Sequence, residues 1–398
     1  MTKLSPIATL SGGVLAAGQL GAVGPVSDLL DHDLRLSAGF RGAAISIITL
    51  LAAAAAAPVG LWSRRHRPAG LVVGGLLLMA AAGLSTELFA RSALAFLLLR
   101  ALAGAGYLLV VVVGPALLVQ QVATSHRPMF FALWGSCTPA GLALAAGFGG
   151  LLGQSLGWRG WFLVLSAVTA LAAVAILATQ RPAGPPAIDQ PAAATVRAAL
   201  FGRPLLIAAS FCLVALISVA VASLLPSYLS DAEQLSTSRA GLLTSIVAIA
   251  SVPGSVLAGL LLRRGIAPQA IGPAVLLCPA FGFLAFTLPV PVTVRVAAAA
   301  LLTFAGGLGV AASYGSLPRL VAEPDLALAN GLLVQLGSLG TLVAPPIFSA
   351  ATGLHRWSLV APMLAVPAVL SVLLLIAATR RPSETITDPP ISRSTACS

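Results

Sequence analysis

The sequence predicts an all-α membrane protein made of two six-helix bundles that are related by a pseudo-twofold axis. Of its 398 residues 58% are hydrophobic and 8% are charged, with a mean hydropathy of +1.01. A soluble domain carries about 25% charged residues, because water must solvate its surface. The apolar residues also occur in runs that approach the roughly 20 residues needed for a helix to cross a bilayer. The alternating short segments of a membrane β-barrel are absent.

Twelve membrane spans are predicted, each an apolar stretch between loops that contain polar, glycine or proline residues. They cover residues 7–27, 39–62, 69–89, 93–122, 128–153, 160–180, 204–229, 238–262, 268–289, 293–315, 327–351 and 357–379. The first stretch follows Lys3 and is as long as a full span, so we expect an uncleaved helix rather than a signal peptide.

A polar, proline-rich stretch at the midpoint of the chain separates two sets of six spans. It contains Arg181-Pro-Ala-Gly-Pro-Pro-Ala-Ile-Asp-Gln-Pro191, which is too polar to cross a membrane and is typical of a linker. We therefore predict an N-terminal bundle at 1–180, a cytoplasmic linker at 181–203 and a C-terminal bundle at 204–380. Residues 381–398 are rich in Ser, Thr and Pro and are expected to form a disordered cytoplasmic tail.

Lysine and arginine are distributed unequally between the two sides of the predicted bundle. With the N-terminus inside, 14 of the 22 basic residues lie in cytoplasmic segments, 7 lie in outer segments, and Arg100 lies within a span. Basic loops are retained in the cytoplasm during insertion, so we predict a multi-pass protein of the cytoplasmic (inner) cell membrane with both termini cytoplasmic. Insertion also accounts for the net charge of +11, and no nucleic-acid partner is predicted.

The two halves contain matching sequence features at equivalent topological places. Gly60-Leu-Trp-Ser-Arg64-Arg65 follows span two, and Gly259-Leu-Leu-Leu-Arg263-Arg264 follows span eight with an offset of 199 residues. Gly157-Trp-Arg-Gly-Trp161 opens span six, and Gly353-Leu-His-Arg-Trp357 opens span twelve with an offset of 196. Such parallel repeats are a known transporter design in which the substrate path lies between the halves.

These features resemble the major facilitator superfamily over essentially the whole chain. Span four adds Arg100-Ala-Leu-Ala-Gly104, which is similar to that family's arginine followed four residues later by glycine, and Gly157-Trp-Arg159 is also common there. The resemblance implies a secondary transporter whose halves rock around a central site. It also implies gating roles for the loops that contain Gly60, Arg64, Arg65, Gly259, Arg263 and Arg264.

Two positions depart from the family pattern. The loop after span two has Arg64 where the family usually has an Asp that bridges to the other half. The nearby basic residues either lock the halves through helix C-terminal carbonyls or only determine topology. Span five contains Gly135-Ser-Cys-Thr-Pro139, at best a degenerate form of the antiporter motif.

Arg100 is the charged residue that the sequence predicts within the membrane, about two turns into span four. Charges inside a bilayer are costly and are functional by default. Arg100 is expected either to bind an anionic substrate, to sense a nearby protonation, or to brace the N-terminal half. The eleven acids lie in loops, tails or span ends.

Neutral polar side chains complete the predicted binding site. They are Gln19 in span one, Tyr107 at i+7 from Arg100 on the same helix face, and Asn330 and Gln335 in span eleven. Tyr228 and Tyr314 lie near span ends and are candidates either for the cavity or for interfacial anchors.

Enzyme signatures are missing from the sequence. Its four histidines lie in loops without an HExxH motif, and there is no phosphate-binding P-loop. The four cysteines are far apart without a CxxC pair. We therefore predict no enzymatic activity, no cofactor and no metal site.

The leading functional hypothesis is export of a small organic solute by a monomer in the lipid bilayer, with protons as the candidate coupling ion. One alternative is uptake or exchange of a small organic anion through Arg100. An alternative from another class is a receptor or scaffold that does not transport. Such a protein needs a sizeable soluble domain or a long ordered loop, and the sequence has neither.

Overall fold

The computed structural model describes residues 4–35, 38–179, 202–352 and 356–380, and the regular structure in these ranges is helical. Lys3, most of the predicted linker, the predicted tail and the repeat feature that begins at Gly353 lie outside the described residues. The all-α fold class is confirmed for the part of the chain that is described.

Six spans form the N-terminal half. Spans one to four are Leu4–Gly21, Ala38–Ser63, Pro68–Phe89 and Ala93–Gln121, with a short helix at Ser27–Leu34 after span one. Span five begins with Arg127–Gly135 and continues into the helix Cys137–Thr179. That helix breaks at Gly157, where φ is 72° and ψ is 172°. Glycine adopts positive φ without steric cost, so the break separates span five from span six.

The C-terminal half repeats this arrangement. Spans seven, ten, eleven and twelve are Arg203–Asp231, Val292–Leu320, Leu326–Thr352 and Val360–Thr379. Span eight is divided into Thr237–Ile249 and Ser251–Arg263, and span nine into Pro268–Ile271, a 3-10 segment at Gly272–Leu277, and Cys278–Phe286. Eleven apolar helical segments among the described residues are long enough to cross a membrane, and the break at Gly157 divides the longest of them in two.

The order of the spans defines two faces of the bundle. Span one begins and span twelve ends at one face, which we call the terminal face, and the other is the opposite face. The terminal face carries the short loops after spans two, four, eight and ten.

Equivalent glycines allow close helix packing in both halves. A Cβ atom on Gly104 of span four would lie 3.3 Å from the Cα atom of Ile48 in span two. A Cβ atom on Gly307 of span ten would lie 3.0 Å from the Cα atom of Ser251 in span eight. Gly307 lies 203 positions after Gly104, and Ser251 lies 203 positions after Ile48. The repeat therefore includes the contacts between helices. Small residues are favoured at such contacts because packing, rather than hydrophobicity, drives helix association in lipid.

The Gly-Trp-Arg sequence before span six ties the opposite-face loops of the N-terminal half together. Trp158 Nε1 and Arg159 Nη1 donate to Asp33 Oδ2 at 2.9 and 3.0 Å, and Arg159 Nη2 donates to the Ala90 carbonyl at 3.1 Å. These hydrogen bonds, that of Trp158 first, hold the pKa of Asp33 below its usual range. Trp161 Nε1 donates to the Ala22 carbonyl at 2.9 Å.

Arg295 plays a similar part in the C-terminal half. The sequence assigns it to an outer segment, but it is 3% exposed in the first turn of span ten. Its Nε atom lies 3.0 Å from Glu233 Oε1, and its guanidinium donates to the Ala285 and Leu288 carbonyls. It also lies over the Tyr228 ring, with Cζ 4.7 Å from the ring centre. Each half therefore has its own ion pair at the opposite face.

We expect Trp158→Phe to weaken the acid dependence of stability. A carboxylate with a lowered folded-state pKa stabilises the fold above its ordinary pKa of about 4, and this contribution is lost as pH falls through the folded value. In the wild type, Tm in detergent should therefore decrease when the pH falls below about 4. In Trp158→Phe it should decrease less. The effect should be small, because the Asp33 side chain is 43% exposed.

Trp161→Phe is the matched control, because its indole donates to a carbonyl that does not titrate. It should lower Tm by a similar amount at every pH. Equal pH dependence in the wild type and in Trp158→Phe would contradict the assigned role of Trp158.

Candidate substrate cavity and gate

A cavity lies between the two halves in two contiguous lobes of about 200 and about 420 Å³. Both halves supply the wall that the lobes share: Thr138, Leu142, Phe211, Ala215, Val219, Tyr314 and Thr341. The larger lobe also contacts Gly24 at the opposite-face end of span one and Pro345 of span eleven. The cavity therefore extends from the middle of the bundle towards the opposite face, and its combined size suits a small organic molecule.

The cavity wall carries no charged side chain among the described residues. It is mostly apolar, and several of its hydroxyls are bonded to their own helix. Ser218 Oγ donates to the Val214 carbonyl at 3.0 Å, and Thr341 Oγ1 donates to the Ser338 carbonyl at 2.8 Å. A charged ligand would lose its hydration here without an opposite charge to compensate, so the wall suits an uncharged ligand.

Tyr107 is the one of the five predicted binding residues that lines the larger lobe. Tyr314, for which the sequence left a cavity role and an anchor role open, lines both lobes. Tyr228 instead packs against Phe286 and Trp357, with ring centres 5.4 and 4.9 Å away.

Arg100 lies within the N-terminal half and is absent from the described wall of both lobes. It is 2% exposed, with Nη1 donating to the Gln19 carbonyl at 2.9 Å and Nε to the Ala44 carbonyl at 3.3 Å. Its Cζ atom is 5.9 Å from the centre of the Phe162 ring. The Gln19 Nε2 atom donates to Thr169 Oγ1 at 3.5 Å, and Gln19 is absent from the described wall of both lobes. This geometry is that of a brace joining spans one, two, four and six.

Asn330 joins the two halves through a carbonyl that a proline leaves unpaired. Proline has no N–H, so Pro115 within span four leaves the Val111 carbonyl without its helical partner. Asn330 Nδ2 of span eleven donates to this carbonyl at 2.9 Å and to the Val112 carbonyl at 2.8 Å.

Gln335 makes the same kind of contact one and a half turns further along span eleven. Pro58 within span two leaves the Ala54 carbonyl unpaired, and Gln335 Nε2 lies 3.5 Å from it. Gln335 Oε1 accepts from the Ala57 amide at 3.0 Å. Both predicted amides of span eleven thus bond to the N-terminal half beside a proline.

Two ion pairs join the halves at the terminal face. Arg64 Nη2 lies 2.7 Å from Asp325 Oδ1, with the side chains 9% and 7% exposed. Arg127 Nη2 lies 3.1 Å from Glu323 Oε2. We call these four residues the terminal gate. Among the described residues, the ion pairs of the opposite face, Asp33–Arg159 and Glu233–Arg295, each lie within one half. The terminal face is therefore closed.

The matching glycines of the two gating loops are packed differently. A Cβ atom on Gly60 would lie 2.5 Å from the Ala327 carbonyl oxygen and 2.9 Å from the Leu328 Cα atom. On Gly259 the nearest atoms, in Ala132 and Met129, would be 3.4 Å away, an ordinary contact. Span two is therefore pressed against span eleven more closely than span eight against span five.

The ion pairs between the halves also involve only one of the two matching gating loops among the described residues. Arg65, Arg263 and Arg264 are exposed and form no ion pair with the described part of the chain. The short 3-10 turn Thr124–His126 stands 199 residues before Glu323–Asp325, in the equivalent loop, and contains no acid. Arg263, the counterpart of Arg64, thus has no acid at that place.

The family model of the Major Facilitator Superfamily matches residues 9–301, nearly three quarters of the chain. The chain belongs to the Major Facilitator Superfamily. This confirms the resemblance carried by the six plus six spans.

Solved structures of this superfamily share the fold. A bacterial homologue of the iron transporter ferroportin in an outward-facing state has a TM-score of 0.76 at 17% identity, covering 94% of this chain and 99% of that chain. The human organic anion transporter MFSD10 (TETRAN) has a TM-score of 0.75 at 17% identity, covering 94% of this chain and 99% of that chain. The E. coli fucose:proton symporter FucP has a TM-score of 0.74 at 14% identity, covering 95% of this chain and 100% of that chain. A comparison with curated protein sequences gives no significant match.

Glu323 and Asp325 are the functional candidates that sequence reasoning missed, because it treated them as ordinary loop acids. A signal was present, since they are the two acids in the four short loops of the terminal face. Two acids among many arginines at one face are natural partners for ion pairs between the halves.

Exchanging the charges of the buried pair Arg64–Asp325 tests whether this pair holds the terminal face closed. Removing one partner from a buried pair costs about 3–5 kcal/mol, which corresponds to at least a hundredfold change in a two-state equilibrium. We expect Arg64→Asp and Asp325→Arg each to open this face and the double variant to close it again. For the measurement, the native cysteines are replaced and spin labels are attached at the exposed positions 67 and 264. Double electron–electron resonance then gives the distance between the two labels.

Glu323→Gln is the control for this exchange, because Glu323 is 49% exposed and exposed pairs contribute about 0–1 kcal/mol. It should move the label distance far less. Label distances that stay the same in both single variants would show that the pair does not hold the gate.

The two matching glycines provide a second test. Gly60→Ala places a methyl group against the span eleven backbone, and this clash is relieved when the terminal face opens. We expect Gly60→Ala to shift the same label distance towards the open state and to lower Tm by several degrees. Gly259→Ala should leave both readouts close to those of the wild type. Equal effects of the two substitutions would contradict the asymmetric packing.

Proposed function

We propose that this protein is a secondary transporter that exports a small, uncharged organic solute across the cytoplasmic membrane by alternating access. The observation that carries the proposal is the cavity between the halves, whose described wall has hydroxyls and aromatic rings but no charged side chain. One chain supplies both sides of this cavity, which supports action as a monomer.

The described contacts define what must change when the cavity opens to the terminal face. The pairs Arg64–Asp325 and Arg127–Glu323 must separate. The Asn330 amide must leave the Val111 carbonyl, and the Gln335 amide must leave the span two backbone. Water that enters from the terminal face would then solvate the released carbonyls, as it does where broken membrane helices line a cavity.

We place the terminal face in the cytoplasm. The basic residues of the short loops support this orientation, because positive loops are retained inside. The described conformation is then closed to the cytoplasm. Export is favoured over uptake because an apolar, uncharged solute enters a cell through the bilayer without a carrier, whereas its removal against a concentration gradient requires one.

Uptake of an organic anion is the less favoured alternative. It would require a cationic group in the binding site, and the Arg100 guanidinium is bonded to the Gln19 and Ala44 carbonyls inside the N-terminal half. Protons are the proposed coupling ion, and dependence of accumulation on a pH gradient tests this part of the proposal.

Flux measurements in proteoliposomes test this function. We expect saturable flux of uncharged aromatic ketones and amides but not of benzoate, and loss of accumulation when the pH gradient is collapsed. Arg100→Gln should lower Tm while the folded fraction keeps its flux, since Arg100 acts as a brace. Saturable benzoate flux that requires Arg100 would overturn the proposal in favour of the anion transporter. Absence of saturable flux for every compound would favour a protein that does not transport.

A further inference from the structure

Two of the three tyrosines of the chain meet at the cavity from opposite halves. Tyr107 of span four is 7% exposed and Tyr314 of span ten is 5% exposed, and both line the larger lobe. Neither hydroxyl forms a hydrogen bond with the described residues, although the hydroxyl of a buried tyrosine usually has a partner. Two donors that line one cavity without a protein partner are available to a ligand that supplies an acceptor.

Several other hydroxyls of the wall differ in this respect. Ser251 Oγ donates to the Ala248 carbonyl at 3.0 Å, and Thr303 Oγ1 donates to the Val247 carbonyl at 2.6 Å. These groups are satisfied within the protein and have less to gain from a ligand. The tyrosine hydroxyls have no such partner within the described protein, so they can bond to a ligand without breaking an existing hydrogen bond.

The surroundings of the two tyrosines are aromatic and uncharged. Phe211 of span seven lines both lobes and packs edge-to-face on Tyr314, with ring centres 5.2 Å apart. This arrangement is the one that aromatic rings prefer, and it leaves aromatic surface facing the cavity for a further ring. No carboxylate lies in the described wall to compensate a cation, and no basic group lies there to compensate an anion.

We propose that Tyr107 and Tyr314 bind the substrate by donating hydrogen bonds to an oxygen or nitrogen acceptor of an uncharged aromatic compound, with Phe211 packing against its ring. Phenolic hydroxyls donate better than they accept, because the ring delocalises the oxygen lone pair. The inference rests on the proposed function. Since the two donors belong to different halves, the substrate bridges the interface and binds most tightly when the halves hold both hydroxyls around it.

Benzophenone is a suitable probe, because it is uncharged, has two aromatic rings and one carbonyl acceptor, and attaches to nearby C–H bonds under ultraviolet light. We expect saturable photolabelling of spans four, seven or ten in the purified protein. Half-saturation should require about 2- to 10-fold more probe in Tyr107→Phe or Tyr314→Phe, as expected for the loss of one hydrogen bond, and more again in the double variant. Diphenylmethane, which lacks the carbonyl oxygen, should compete equally well or better in these variants.

Tyr228→Phe is the matched control, since the third tyrosine packs on Phe286 and Trp357 and does not line the described cavity. It should leave half-saturation unchanged. Unchanged diphenylmethane competition in the phenylalanine variants would show that their cavity is folded. Absence of saturable labelling, equal half-saturation in all variants, or stronger competition by tetraphenylphosphonium than by diphenylmethane would overturn the inference.

Binding and flux together separate the two proposals. If labelling depends on both tyrosines but no compound shows saturable flux, the site stands and the proposed transport function fails. If flux of uncharged compounds is the same in the wild type and in the double phenylalanine variant, the transport function stands and the role of the tyrosines fails.

Discussion

The closed terminal face depends on one constraint, which is that a polar backbone group removed from water needs a partner. Pro58 and Pro115 each leave a carbonyl unpaired in the N-terminal half. Asn330 and Gln335 of the C-terminal half reach these carbonyls across the interface. The prolines therefore create acceptors that the other half can satisfy. Under the proposed alternating access, the same bonds would link the two conformations to hydration, because water must replace the amides when the halves separate.

The two halves have the same topology, but the contacts that their gating loops make differ in strength. Gly60 and Gly259 follow the same spacing, yet only Gly60 lies tightly against the backbone of the facing span. Arg64 and Arg263 also correspond, but within the described part of the chain Arg64 pairs with an acid and Arg263 does not. The buried ion pair of the terminal gate therefore joins span two to the turn before span eleven, while Arg127 at the start of span five forms the more exposed pair. Since Glu323 and Asp325 belong to one short loop, a change in that loop acts on both ion pairs at once.

The number and order of spans could be predicted because length and hydropathy alone decide whether a helix crosses a bilayer. The site could not be predicted in the same way. Lipid and the bundle interior are both apolar, so periodicity does not show which face of a span meets the cavity. Arg100 and Tyr107 share a helix face by spacing, but seven residues separate them by about 10 Å along the axis. At one depth the arginine meets carbonyls of spans one and two, and at the other the tyrosine meets the cavity. The pairing of Arg64 with Asp325 likewise depends on loops that only the tertiary fold brings together.

The positions of the arginines fit halves that move as rigid bodies. Within the halves, Arg100, Arg159 and Arg295 each contact two or more groups, and Arg100 and Arg295 are almost fully buried. Between the halves, Arg64 and Arg127 each pair with a single acid, and the Arg127 pair is partly exposed. Interactions with several buried partners cost more to break than a single pair, and the exposed Arg127 pair costs least. Rearrangement is therefore expected at the interface, where the cavity lies, while each bundle keeps its shape. A cavity wall without charged groups suits such a rearrangement, because no unpaired ion has to be removed from water when the cavity closes.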